Sequence, residues 1–187
     1  MKKHILTAVL YTTITAVLLG LVYPLAITGI AHVLFPDQAS GELVKRNGVL
    51  VGSKLIGQAF TGAGYFHSRP SAAGAGYDAQ ASSGSNLAPT SKALVDRIQA
   101  SVSAEQSVAP IPVDLVTASA SGLDPDISPA AAFYQVPRVA HERRLPEATV
   151  TDLVRQHITP RQLGLLGEPR ANVLELNLAL DSLAQAK

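Results

Sequence analysis

From Ile5 to Ala31 the chain carries no charged residue. A helix rises about 1.5 Å per residue, and roughly 20 apolar residues cross the hydrocarbon core of a bilayer. A longer run than that predicts a membrane-spanning helix, with the anchor at residues 5–35. Lys2, Lys3 and His4 precede the run and the first acid after it is Asp37. Positive charge on the short N-terminal flank predicts residues 1–4 in the cytoplasm and residues 37–187 on the outer face. A cleavable signal peptide has an apolar region of about 7–15 residues ending at a small-x-small site. Gly29-Ile30-Ala31 could pass as that site, but the run is too long, so a retained anchor is expected.

Within the run, Ala8, Thr12, Ala16 and Gly20 recur every four residues. Small residues at this spacing let a second helix approach closely in lipid, where packing holds helices together. The bland reading is a lipid-facing helix that happens to contain small residues. Pro24 has no N–H, so it kinks the helix or ends its regular part.

Beyond the anchor, thirteen Lys/Arg from residue 37 onward face fourteen Asp/Glu. This balance lacks the basic footprint of a nucleic-acid binder. Cysteine is absent, which excludes disulfides, thiolate metal sites and a cysteine nucleophile.

The expected fold class is a single N-terminal transmembrane helix plus a small α/β (α+β) periplasmic domain. Leu43-Val44 and Val49-Leu50-Val51 flank Asn47-Gly48, the dipeptide a type I′ hairpin turn prefers, and Leu55-Ile56 would continue the second strand. Residues 61–91 have a linker-like composition, yet Tyr65, Phe66, Arg69 and Tyr77 within them point to an ordered, surface-hugging loop. A helix capped near Thr90 or Ser91 would turn Leu94, Val95, Ile98 and Val102 to one face. A second, capped by Ser128 with Pro129 first, would bury Phe133, Val136 and Ala140 and bend at Pro137. A third would open near Pro146 and bury Val150, Leu153 and Val154. A short helix is expected from Thr159 to Gly167. Leu174, Leu176, Leu178 and Leu180 alternate, which predicts a third strand to pair with the early hairpin, although helical spacing also fits.

The search for chemistry excludes more than it finds. There is no Gly-x-Ser-x-Gly elbow, no His-Glu-x-x-His, no Walker-type phosphate loop and no Asp-Lys-Thr-Gly. Gly74-Ala75-Gly76-Tyr77-Asp78-Ala79 matches a dinucleotide fingerprint in letters alone. Asp124-Pro125-Asp126-Ile127-Ser128 resembles the start of a calcium loop, but its sixth position is Pro129 and its twelfth Gln135. His67, His141 and His157 are spread too widely to suggest a metal site. Arg138, Arg143 and Arg144 form either a solvated face paired with Glu142 and Glu147 or a contact to a partner subunit. An enzyme should gather titratable groups into a pocket, and a lone binding domain has no use for a small-residue stripe in its anchor.

Five segments stand in order: Tyr65-Phe66-His67-Ser68-Arg69-Pro70-Ser71, Ser83-Gly84-Ser85-Asn86-Leu87, Ser119-Ala120-Ser121-Gly122-Leu123-Asp124-Pro125, Ile127-Ser128-Pro129, and Asn172 through Asp181. With Leu55-Ile56-Gly57-Gln58 and the anchor, the ordered set resembles the C subunit (KdpC) family of the Kdp potassium-transporting P-type ATPase over nearly the whole chain. The family usually has His where this chain has Asp126, and Gly where it has Ser83.

The resemblance implies a non-catalytic accessory subunit of a bacterial inner-membrane complex that imports potassium at the expense of ATP. The implied partners are a channel-like KdpA subunit, an ATP-hydrolysing KdpB subunit and a small KdpF subunit. ATP, Mg and K+ would be handled by those partners, with no cofactor intrinsic to this chain. The C subunit would be needed for assembly and activity, and would act as a catalytic chaperone that raises the ATP affinity of KdpB. The candidate family-motif and interface residues are Tyr65, Phe66, Arg69, Pro70, Ser71, Gly84, Ser85, Asn86, Leu87, Ser121, Gly122, Asp124 and Pro125. Ser83-Gly84-Ser85-Asn86 can be likened to a signature loop of transport ATPases, but the charge rule places it outside, where ATP is scarce. A cap on the potassium-binding subunit is the reading this favours.

Overall fold

The computed structural model describes residues 1–105 and 109–185. The chain divides into two compact units, Met1–Val44 and Lys45–Lys187.

The first unit is dominated by a helix over Lys2–Leu34, long and apolar enough to cross a membrane. It comprises α1 (Lys2–Val17), one π turn (Leu18–Val22) and α2 (Tyr23–Leu34). The π turn has a local cause. Pro24 cannot donate back to the Gly20 carbonyl, and the widened turn, in which the Tyr23 N–H reaches the Leu18 carbonyl, carries the ring without breaking the rod. The hydroxyls of Thr7, Thr13 and Thr15 donate to carbonyls four residues back, which satisfies them within the helix. A short turn of helix, α3 (Pro36–Ala39), follows.

Strands β1 (Leu43–Arg46) and β2 (Val49–Ser53) pair as the expected hairpin, with Asn47 at φ 52° and Gly48 at φ 80° in its turn. Both values are those a type I′ turn demands. The second strand ends at Ser53 rather than continuing through Leu55-Ile56, and this sheet has two strands, without a third from the tail. The main sheet has the order β3 (Asp126–Ile127), β5 (Arg170–Asn172), β4 (Ile158–Thr159), all antiparallel. In it Ala171 stands opposite both Ile127 and Ile158.

Three helices complete the core: α5 (Pro129–Arg143), α6 (Glu147–Gln156) and α7 (Val173–Gln185). The Ser128 side chain caps α5 by accepting from the Ala131 N–H, with Pro129 at the first helical position. The helix runs on through Pro137 and ends with Arg144 in the left-handed region. There the Leu145 and Arg144 N–H groups return to the Ala140 and His141 carbonyls, closing a Schellman motif. The buried cluster includes Phe66, Ile127, Ala131, Val136, Val139, Val150, Val154, Ala171, Leu176 and Leu180. Phe133 is only partly buried against it.

The tail is helix α7, the alternative its helical spacing left open, and not the strand its alternation favoured. Val173, Leu176, Asn177 and Leu180 are buried at helical spacing, while Leu178 of the apparent alternation is only partly buried. Two expectations fail for physical reasons. Residues 159–167 form a hairpin tip rather than a helix, because Leu163 and Gly164 take positive φ (53° and 73°). Helix α4 (Lys92–Glu105) forms as expected but buries no residue, and Val95 and Val102 on its apolar face are exposed.

Candidate functional site

Residues 61–91 hold the ordered loop their aromatics suggested. Short helical turns at Ala79–Ala81 and, further on, Val113–Leu115 are the regular structure in the connections around it. Phe66 and Ala73 are completely buried. Its motif residues separate into two groups.

The first group joins residues 69–84 to residues 119–125. Arg69 donates to Asp124 at 3.1 Å. The Ser71 hydroxyl donates to the Gly122 carbonyl at 2.6 Å and accepts from the N–H groups of Ala73 and Tyr77. The Tyr77 hydroxyl returns to the Arg69 carbonyl at 2.7 Å, and Ser82 donates to the Ser121 carbonyl at 3.0 Å. From α4, Arg97 donates to the Ser71 carbonyl. Gly122 is at φ +65°, and a Cβ there would lie 2.5 Å from the Ser83 carbonyl oxygen and 2.6 Å from the Ala73 nitrogen. Only glycine allows these two segments to approach so closely. A Cβ on Gly84 would likewise sit 2.9 Å from the Ala120 oxygen. Pro125 accepts from the Val173 N–H through its carbonyl, tying the second segment to the start of α7. Pro70 and Ser85 are half-buried in this region, Leu87 partly so, and Asn86 is exposed at φ 52°.

The second group fastens Tyr65 and Phe66. The Asn177 carboxamide accepts from the Phe66 N–H at 2.8 Å and donates to its carbonyl at 2.9 Å. Gln135 does the same for His67, at 2.7 and 3.2 Å. Two buried amide side chains thus replace the strand partner this extended segment lacks. Arg138 donates to the Tyr65 and Ala63 carbonyls, and Arg143 to the Gly64 carbonyl. The Arg143 guanidinium also lies 4.3 Å from the centre of the Tyr65 ring. Asp181 binds both Arg143, at 2.8 Å, and Arg46, at 3.1 Å. Arg138 and Arg143 are therefore turned onto the 62–65 loop rather than paired with Glu142 or Glu147. Sequence reasoning missed Asn177, Gln135 and Asp181. Asn177 and Asp181 lie in a quoted motif, and the signal was a polar residue inside an apolar run.

Two of the open clefts that border these groups are lined by motif residues. One, of about 510 Å³, is lined by Arg46, Phe60, Tyr65, Leu174, Asn177 and Asp181. The other, of about 360 Å³, lies beside Arg69, Asp124, Asp126 and Arg170. Asp124 is paired with Arg69, and Asp126 with Arg170 at 2.9 Å. Burial raises the Asp126 carboxyl above its ordinary value, against the pull of Arg170. Burial lowers the His67 imidazole, and nearby Arg138 lowers it further. Among the described residues no group of three or more His, Asp or Glu is placed to hold a metal ion. The motif residues are largely engaged with one another, which is the pattern of a rigid scaffold rather than of convergent catalytic groups.

A helix long and apolar enough to cross a membrane, followed by an α/β domain with its motif loops locked together, fits the class of single-pass membrane proteins. Residues 5–182 match the family described as KdpC: K+-transporting ATPase, c chain. Proteins named potassium-transporting ATPase KdpC subunit are similar along nearly their whole length. That of Acidobacterium capsulatum is 63% identical over 182 residues, covering 97% of this chain and 99% of its own. That of Koribacter versatilis is 59% identical over 184 residues, covering 97% and 95%. That of Gemmatimonas aurantiaca is 60% identical over 189 residues, covering 98% and 95%. The chain belongs to the KdpC family of subunits of the potassium-transporting ATPase.

Proposed function

We propose that this chain is a non-catalytic accessory subunit of an ATP-driven potassium importer, anchored in the bacterial inner membrane with its domain on the outer face. The observation that carries this reading is the use made of the family motifs. Arg69, Ser71, Gly122 and Asp124 are spent on mutual contacts, so their role is to hold a surface in shape. A rigid surface of this kind serves binding, since little ordering entropy is lost when it docks. Lys2 and Lys3 before the span support the outward orientation of the domain. The partners are a potassium-passing KdpA subunit, an ATP-hydrolysing KdpB subunit and a small KdpF subunit, which handle K+, ATP and Mg. Any gain in the ATP affinity of KdpB, the chaperone action, follows from the chain favouring one conformation of the complex.

The stripe of Ala8, Thr12, Ala16 and Gly20 is the proposed face for a partner helix. A Cβ on Gly20 would meet nothing within 4 Å, and the Thr12 hydroxyl, unlike those of Thr7, Thr13 and Thr15, makes no bond to its own helix among the described residues. Affinity purification of the tagged chain from detergent-solubilised membranes tests the reading. The larger subunits should come with it, and Gly20→Leu or Ala16→Leu should lower their recovery while the helix still inserts. A wild-type chain that emerges alone would refute it.

A further inference from the structure

Between β4 and β5 the chain projects a tip that its own domain does not cover. Gln162 and Leu166 form an isolated antiparallel bridge with reciprocal N–H to carbonyl bonds of 2.9 Å. This closes a tight ring around Leu163, Gly164 and Leu165. Arg161 and Glu168 pair across its base at 2.5 Å. Leu163 is held at φ 53°, a conformation in which a bulky side chain is an outlier. Leu163, Leu165 and Leu166 are 90%, 80% and 60% exposed.

Single exposed leucines need no explanation, but three together on a braced turn do. We infer that this tip docks into an apolar cleft on another protein subunit of the potassium-transporting ATPase, with the three leucines as its anchor. The inference rests on the reading that the chain assembles with such subunits. The tip's own chemistry selects this occupant. Its cation, Arg161, is neutralised by Glu168, so nothing on the tip draws it to anionic headgroups. It has no Trp or Tyr of the sort that settles at a bilayer interface. Three leucines expose an apolar patch of a few hundred Å². A stable interface between two proteins buries about 800 Å² on each. The patch is therefore too small to hold a second copy of the chain alone, but suits one anchor within a larger contact. The bridge and the ion pair fix its shape before docking.

The test replaces Leu165 with a photo-crosslinking benzoylphenylalanine in the full chain, co-expressed with the other subunits. Illumination should join the chain to another subunit. Adding Leu163→Glu should reduce that product at least 10-fold and leave the melting temperature of the purified chain unchanged. A crosslink to phospholipid only, to a second copy only, or to nothing would overturn the inference. So would an adduct unaffected by Leu163→Glu. If Leu163→Glu lowers the melting temperature, Leu163→Asn, which tolerates the same backbone conformation, must reproduce the loss of crosslink. Co-purification of the wild-type chain is scored in the same preparation. Failure there refutes assembly itself, whereas assembly without a crosslink at residue 165 refutes this surface alone.

Discussion

The Asn177 side chain, 2% exposed on α7, satisfies both backbone groups of Phe66 across 111 positions of sequence. Phe66 is completely buried, so neither group has water as an alternative. Asn177→Leu would leave a donor and an acceptor unpaired, at about 1–3 kcal/mol each. We expect a loss of about 2–4 kcal/mol in a denaturant titration of the purified chain. A loss below about 1 kcal/mol would mean that the 65–67 segment is held by other contacts.

Two glycines with similar backbone angles should respond differently to alanine. At Gly164 a Cβ meets nothing within 4 Å, so Gly164→Ala bears only the left-handed backbone cost of roughly 1–2 kcal/mol. At Gly122 the Cβ would also strike backbone atoms at 2.5 and 2.6 Å. Gly122→Ala should therefore cost more than about 3 kcal/mol, the sum of strain and overpacking. Equal melting temperatures for the two variants would remove the close-approach argument.

The position of His67 gives stability a pH dependence of definite sign. Burial, then Arg138, lowers its folded pKa below the ordinary 6.5. The unfolded chain then binds more protons as pH falls through that value, so folding loses stability. The contribution is fully present above about pH 6.5 and is lost as pH falls through the lower folded value. A melting temperature followed from pH 7.5 to 5 should drop in the wild type. His67→Gln should flatten that drop, and an unchanged slope would assign it to other groups.

Legibility followed the range of the signals. The Asn47-Gly48 turn, the Ser128-Pro129 helix start and the apolar helix over Lys2–Leu34 are local, and they form as their residues dictate. Helix α7 stayed ambiguous because Leu174, Leu176, Leu178 and Leu180 satisfy a two-residue period by coincidence while helical spacing also fits. Asn177 fits that alternation as an outward polar residue, and it is buried because Phe66 arrives from far away to use its carboxamide. The tip at 162–166 was misread because Thr159-Pro160 resembles a helix start, while nothing local announces a left-handed Leu163. Arg69 and Asp124 were legible as motif members, but their pairing across 55 positions was not.

Topology provides a further expectation. The positive flank and the helix over Lys2–Leu34 predict that reporter fusions after Pro36 and at the C-terminus both report the outer face. The mature chain should still begin at or next to Met1. A new N-terminus at His32 would show that the segment is a cleaved signal.

The last expectation concerns nucleotide. Phosphate-cradling loops present successive N–H groups at the start of a helix. The loop Ser83-Gly84-Ser85-Asn86 does not lead directly into one, because α4 begins only at Lys92. Gly84 is packed against Ala120, and Ser82 is bonded to Ser121, so part of this segment is already occupied in holding the fold. The purified chain should neither hydrolyse ATP nor bind it with useful affinity. Within the complex, Arg69→Ala or Asp124→Ala should lower ATP hydrolysis and potassium transport together. Breaking their 3.1 Å pair would loosen the surface proposed to dock, and such coupling is felt at every site that depends on the docked state. Calorimetry or photolabelling that detects ATP on the isolated chain, lost on Asn86→Ala, would restore a direct nucleotide role. It would also contradict the proposed outward placement of this loop, since ATP would then be supplied on the other side of the membrane.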